Sequence, residues 1–326
     1  MIIDQYNRVH DYLRISLTDK CNLRCFYCMP DEEYEFSPSS HLMQAAEIEG
    51  IAKVFVEQGV RKIRLTGGEP FVRKDAGDIL LRLSKLPVQL TLTTNATRLH
   101  EFTQSLEQAN VRSLNVSLDT LQPAKFQLIT RRNLFDRVFG NIQLLISKNF
   151  HVKVNVVVMK GLNDDEINDF VEWTKNEDVH VRFIEFMPFE GNRWTSNKVF
   201  TWKEILERIE KRYTAIRLPD GIHETAKKYR ADGHRGTFAV ISTMSAPFCS
   251  GCNRIRLTAD GKMKNCLFSQ NETDLLTAFR KGEDIGPLIA ASIRSKAKEL
   301  GGQFTKDFEK INSENIHNRT MISIGG

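Results

Sequence analysis

Gln89-Leu90-Thr91-Leu92-Thr93-Thr94-Asn95 alternates apolar and polar residues, a helix-like stretch follows at 99–109, and a second alternating run covers 113–119. A two-residue period puts successive side chains on opposite faces of a strand, and a period near 3.6 marks a helix with one apolar face. The stretch reads as strand, helix, strand. The same rhythm extends outward, with alternating runs at about 12–18, 62–66, 152–158 and 181–186 and helix-like stretches near 44–58, 75–85, 136–148 and 164–176. Strands that alternate with helices are parallel and joined by right-handed crossovers. The expected fold is α/β, a partial (β/α)6 TIM-type barrel, with an open doubly wound sheet or an antiparallel sheet with one solvent face as the alternatives.

Strand faces choose among these. Polar side chains gather on one face of each run: Arg14 and Ser16; Arg64 and Thr66; Thr91, Thr93 and Asn95; Asn115, Ser117 and Asp119; Lys153 and Asn155; Arg182. A strand between two helix layers would be apolar on both faces, and a closed eight-stranded barrel packs its lumen with side chains. Polar inward faces predict a wet cavity. Four cations in it, Arg14, Arg64, Lys153 and Arg182, call for an anionic occupant.

After about residue 190 the rhythm changes. Thr201-Trp202-Lys203-Glu204 opens a helix to about 212, short β-like runs follow at 236–242 and 253–258, and Asp260-Gly261 is a hairpin signal. Helical patterns at 272–281 and 285–299 precede a polar tail ending Gly325-Gly326. Residues 1–220 are read as the barrel and 221–326 as a smaller C-terminal region lying against it, with a mobile Gly-Gly tail. The charge balance, 46 Lys+Arg against 41 Asp+Glu, leaves only +5 on 326 residues, so any cationic site must be local. The apolar run Val156-Val157-Val158-Met159 is far short of a membrane span, and Met1-Ile2-Ile3-Asp4-Gln5-Tyr6 lacks the basic and apolar regions of a signal peptide. A cytoplasmic protein is expected, with no membrane and no nucleic acid among its partners.

All six cysteines fall into two triplets, Cys21-x3-Cys25-x2-Cys28 and Cys249-x2-Cys252-x13-Cys266. Disulfides suit an oxidising compartment, and structural zinc wants a fourth ligand, which His10 or His41 could add to the first group. Three thiolates around a four-iron cube leave one iron open to bind a substrate or cofactor. The first triplet also follows the first strand, on the rim where (β/α) barrels place their chemistry.

Cys21-Asn22-Leu23-Arg24-Cys25-Phe26-Tyr27-Cys28, followed by Thr66-Gly67-Gly68-Glu69-Pro70 at the end of the second strand, resembles the radical S-adenosylmethionine superfamily. Within it, five features resemble the molybdenum cofactor biosynthesis protein A family, the GTP 3′,8-cyclases. They are Tyr12-Leu13-Arg14-Ile15-Ser16, Thr18-Asp19-Lys20-Cys21, Arg182-Phe183-Ile184-Glu185-Phe186-Met187, Phe248-Cys249-Ser250-Gly251-Cys252-Asn253-Arg254-Ile255-Arg256-Leu257 and the terminal Gly325-Gly326. One departure is Ala96, which stands where the family usually has glycine.

The resemblance implies two 4Fe-4S clusters. One, on Cys21, Cys25 and Cys28, binds S-adenosylmethionine and cleaves it to a 5′-deoxyadenosyl radical; the other, on Cys249, Cys252 and Cys266, faces the guanine. In the family the radical takes hydrogen from C3′ of GTP, and the sugar radical closes on C8 to give 3′,8-cyclo-7,8-dihydro-GTP. The resemblance assigns Tyr27, Gly68, Ser117 and Met187 to S-adenosylmethionine. It assigns Arg14, Arg64, Thr93, Lys153, Arg182, Arg254 and Arg256 to GTP, and it carries Gly325-Gly326 into the active site. A triphosphate suits the four inward cations. Implied partners are an external one-electron donor and a downstream cyclic pyranopterin-forming enzyme, with a homodimer as the assembly to test. Arg131-Arg132 and the run Lys227-Lys228-x-Arg230 with His234 and Arg235 read as a solvated face. The competing readings are a radical enzyme with an auxiliary cluster acting on a peptide or another small molecule and a nucleic-acid binder with metal knuckles. The second would need aromatic residues interleaved with basic ones on a strand surface.

Overall fold

A computed structural model describes residues 1–30, 34–312 and 315–325. Six parallel strands stand side by side in chain order: β1 (Tyr12–Ser16), β2 (Lys62–Thr66), β3 (Gln89–Thr94), β4 (Ser113–Ser117), β5 (His151–Val158) and β6 (Val179–Glu185). The crossovers carry α1 (Ala45–Glu57), α2 (Ala76–Leu83), α3 (Thr103–Gln108), α4 (Pro123–Thr130), α5 (Phe135–Ser147) and α6 (Ile167–Trp173). Leu13, Ile15, Ile63, Leu65, Leu92, Val152, Val154 and Val181 are buried in one core with Ile48, Phe55, Ile79, Leu106, Ile142 and Phe170 of the helices. Each such side chain contributes about 1.5–3 kcal/mol on burial, and together they fix which strand face turns outward.

The elements differ from the periodic reading in strand ends and in one crossover. Strands β1, β3 and β4 stop before Thr18, Asn95 and Asp119, because the backbone there turns into the loops of the site. The Asn95 N–H, for one, donates to the Glu69 carboxylate at 2.6 Å. The crossover from β4 to β5 holds two helices where one was expected; Pro123 opens α4 at its first position, and Arg131, in the left-handed region at φ 55, closes it.

The larger correction concerns residues 221–326. After α7 (Trp202–Glu210), β7 (Ala215–Arg217) and β8 (Lys227–Ala231) lead into β9 (Thr237–Ile241), which pairs parallel with β6. Strand β10 (Arg254–Leu257) pairs parallel with β1 at the opposite edge, and β11 (Lys262–Lys264) and β12 (Thr273–Asp274) continue it antiparallel. The sheet is one open ribbon of twelve strands, β12-β11-β10-β1-β2-β3-β4-β5-β6-β9-β8-β7. The C-terminal region thus extends the barrel wall at both edges instead of lying against it. Helices α8 (Leu275–Arg280), α9 (Gly286–Arg294) and α10 (Met321–Ile324) complete the described chain. No helix among the described residues is long and apolar enough to cross a membrane.

Candidate active site

The inward face of the sheet bounds a cavity of about 780 Å³. Both cysteine triplets line it, as do Tyr27, Gly68, Ser117, Met187, Arg14, Arg64, Thr93, Lys153, Arg182, Arg254 and Arg256.

Backbone geometry sets the first triplet. The N–H groups of Cys28 and Met29 donate to the Cys25 carbonyl at 2.9 and 2.8 Å, folding the motif into a turn. Arg24 and Phe26 N–H groups anchor it on the Thr130 and Ile129 carbonyls at the end of α4, where helical carbonyls lack internal partners. The loop after β2 meets it backbone to backbone: Gly68 N–H donates to Thr18 at 2.7 Å and Glu69 N–H to Lys20 at 2.8 Å. A Cβ on Gly68 would stand 2.3 Å from the Lys20 carbonyl oxygen, so glycine is required. Asn95 Nδ2 donates to Cys21 Sγ at 3.6 Å.

Burial, then the nearby Glu69, pushes the Cys21 thiol up to about 11. Burial with Asp119 beside it pushes Cys25 well above the usual range, and burial with Cys21 beside it pushes Cys28 up. Three adjoining buried thiols ionise only against a bound positive centre, which fits an iron–sulfur cluster. Among the described residues no three Cys, His, Asp or Glu side chains converge as the ligands of a single ion would. His10, considered above as a fourth ligand for the first group, instead bonds Asp4 and Lys296 near the second, and His41 is exposed.

Tyr27 Oη donates to Asp119 Oδ2 at 2.6 Å, and Val157 N–H donates to Asp119 Oδ1 at 2.9 Å. Burial raises Asp119 to about 6 despite these two donors. Asp119, assigned no chemistry from sequence, is therefore what fixes the Tyr27 ring on the wall.

Sheet register builds the cationic wall. Arg256, Arg14 and Arg64 are direct neighbours across β10, β1 and β2; Arg254, Tyr12 and Lys62 form the next row. Asn155 stands opposite Arg182, which donates to its Oδ1 at 2.5 Å. Like charges side by side repel. Burial and then Arg256 press Arg14 well below its ordinary value, burial and Arg64 bring Arg182 to about 9, burial and Arg254 bring Arg256 to about 10, and burial and Arg182 bring Lys153 to about 8. Against burial, Arg64 and Arg14 draw the Tyr12 phenol down to about 7. Arg182 Nε and Asn115 Oδ1 are buried with no hydrogen-bond partner among the described residues, leaving a donor and an acceptor for an anionic, hydrogen-bonding ligand.

The sequence reading missed Tyr12, Lys62 and Lys228, all on the cavity wall. Tyr12 and Lys62 share the two-residue face of Arg14 and Arg64, so the alternation itself could have found them. Lys228 belongs to the run read as solvated, and its placement depends on β8 pairing with β9. His234 of the same run is buried against Thr174, at 2.9 Å from its Oγ1.

The last described residue, Gly325, packs against Arg256 and Thr66, which line the cavity. Arg256 Nη1 donates to the Gly325 carbonyl at 2.9 Å. Gly325 has φ +83, and a Cβ there would lie 2.7 Å from Ser16 Cβ, so glycine fits this position closely against β1. Gly326 lies outside the described residues.

Comparison with known proteins identifies the family. Residues 15–174 match the model of the Radical SAM superfamily and residues 179–301 that of Molybdenum Cofactor Synthesis C. The chain is 47% identical to GTP 3′,8-cyclase, mitochondrial, of Arabidopsis thaliana, covering 100% of this chain and 84% of that protein. It is 44% identical to Molybdenum cofactor biosynthesis protein 1 of Mus musculus, covering 99% of this chain and 51%, about half, of the relative. Among solved structures, Streptococcus suis SuiB superposes with a TM-score of 0.64 at 16% identity, over 92% of this chain and 69% of SuiB. That likeness concerns the fold.

Proposed function

Because the chain belongs to the GTP 3′,8-cyclase family of radical S-adenosylmethionine enzymes, we infer that GTP and S-adenosylmethionine meet in this one cavity, its walls dividing the work. The enzyme converts GTP to 3′,8-cyclo-7,8-dihydro-GTP in molybdenum cofactor biosynthesis. Cys21, Cys25 and Cys28 would hold a 4Fe-4S cluster; with S-adenosylmethionine bound, it supplies the one-electron cleavage that generates a 5′-deoxyadenosyl radical. Cys249, Cys252 and Cys266 would hold a second.

The chain's own part is to bind, orient and exclude. Gly68 lets the loop after β2 close on the loop of the first triplet, and with Tyr27, held by Asp119, and with Ser117 and Met187 it walls the S-adenosylmethionine side. Arg14, Arg64, Lys153 and Arg182 take the triphosphate, Thr93 orients Arg64 from 3.4 Å, and Arg254 and Arg256 hold GTP toward the second triplet. Holding C3′ and C8 in one orientation, away from water, is how a protein steers a radical. Residues 1–220 would thus supply the radical and 221–326 the second cluster, with Gly325-Gly326 guiding closure. An external one-electron donor and a downstream cyclic pyranopterin-forming enzyme complete the proposal, and a homodimer remains the assembly to test.

The observation that carries this reading is that both triplets line the same cavity as eight Lys and Arg side chains. Iron and sulfide analysis after anaerobic assembly, followed by turnover with 5′-deoxyadenosine and cyclised nucleotide quantified, tests it. Zinc in either triplet of protein assembled with iron and sulfide would overturn it.

A further inference from the structure

Behind the second triplet lies a buried polar chain that none of the roles above uses. Lys296 is only 2% exposed, and Asp4, Arg8 and His10 are buried with it. Lys296 Nζ has three acceptors: the Arg254 carbonyl at 3.1 Å, His10 Nδ1 at 3.4 Å and Cys252 Sγ at 3.5 Å. His10 Nε2 lies 3.0 Å from Asp4 Oδ2, which also accepts from Arg8 Nε at 2.6 Å. Arg8 then reaches the Cys249 carbonyl at 2.8 Å and the Lys298 carbonyl at 2.7 Å.

The charges do not balance without the sulfur. With Nδ1 accepting from Lys296 and Nε2 donating to Asp4, His10 is a neutral imidazole. Two cations, Arg8 and Lys296, then share one carboxylate, Asp4. A buried ammonium needs a negative partner, and of its three acceptors only the Cys252 sulfur can carry that charge. Hydrogen bonds and charge around cluster thiolates set cluster potential.

Resting on the two-cluster reading, we propose that Lys296 is a positioning residue whose ammonium shares with the Arg254 guanidinium the countercharge of the Cys252 thiolate and raises the reduction potential of the second cluster. Asp4, Arg8 and His10 clamp it in place from the N-terminal segment.

The test is an EPR-monitored redox titration of the full chain assembled anaerobically, comparing the unsubstituted protein with Lys296→Met and Lys296→Arg. Lys296→Met is expected to lower the reduced-to-oxidised ratio of the second cluster about tenfold at a given potential, a midpoint shift of about 59 mV for one electron. The first cluster should not move, and Lys296→Arg should restore most of the shift. Loss of second-site iron in Lys296→Met but not in Lys296→Arg would also support the countercharge. An unchanged second midpoint with both clusters loaded overturns the proposal. So does an equal shift of both midpoints, or loss of second-site iron in both variants. Iron for only one cluster in the unsubstituted chain overturns the two-cluster reading itself, and the iron count separates that failure before any titration.

Discussion

Cys25 is buried beside Asp119, and Cys21 has Glu69 near it; Cys252 is buried beside Arg254 and Lys296. Burial raises all three thiols, yet Cys252 ends at about 6 because the two cations outweigh its desolvation, while Cys21 ends at about 11. Burial raises Cys249 of the second triplet as well, so the contrast lies at Cys252, and on the function proposed above it matches the ligand that each triplet would face. S-adenosylmethionine brings a sulfonium and an ammonium, which a weakly acidic wall tolerates. A nucleoside triphosphate brings several negative charges, which a wall of guanidinium groups matches. Spacing in the sequence makes two similar sets of thiols; the neighbours make them different.

The largest test breaks one side only. Cys25→Ala is expected to abolish 5′-deoxyadenosine formation altogether while the visible absorbance of the second cluster persists. Collapse of both absorbances would show that the two sites are not independent.

Removing Gly325 and Gly326 probes the cationic side. Cluster content, GTP affinity and 5′-deoxyadenosine formation should hold, while the cyclised nucleotide is lost, as product analysis by chromatography would read. Normal amounts of cyclised product would show the Arg256 to Gly325 contact to be packing alone.

Lys153→Ala or Arg182→Ala should weaken GTP binding by about 1.5–3 kcal/mol, the scale of a charge-assisted hydrogen bond, with both clusters unchanged. Calorimetry with guanosine as control decides the point, since guanosine has no phosphate to lose and equal losses would refute a phosphate role.

A smaller effect comes from pH. Lys153 stands at about 8, lowered by burial and then by the Arg182 charge. A bound phosphate favours the ammonium and raises that value, so binding takes up a proton above pH 8. The Lys153 contribution to GTP affinity is therefore full below pH 8 and falls by at most about tenfold per unit above it. In Lys153→Met the slope between pH 8 and 9.5 should flatten.

Ala96 gives the smallest expected change, on the loop that holds Asn95 against Cys21. It has φ +60 and is fully buried, a conformation that favours glycine. Ala96→Gly is expected to stabilise the chain by about 0.5–1 kcal/mol, measured by denaturant unfolding of the cluster-free protein. Destabilisation would mean that the buried methyl group outweighs the backbone strain.

Much of the site was legible because strand alternation is a local code. Arg14, Arg64, Thr93, Lys153 and Arg182 could be placed on one face from a two-residue period, and all line the cavity. Lys228 and His234 were read as exposed because a charged run carries no sign of what packs over it. His10 and Lys296 stand 286 positions apart, beyond any periodic pattern.

The sequence by itself determined the βα rhythm, the inward polar faces and the two thiol triplets, since these depend on backbone geometry and spacing within a few residues. Only the tertiary structure decided that β10 lies beside β1, with Leu13 opposite Ile255 and Ile15 opposite Leu257. Burying those apolar faces together selects the register. That same register, on the opposite face of the strands, sets Arg254 and Arg256 beside Tyr12 and Arg14 and brings the second triplet into the cavity of the first. Pairing across some 240 residues is chosen by which apolar surfaces can be covered at once, a property of the whole fold that no local stretch encodes.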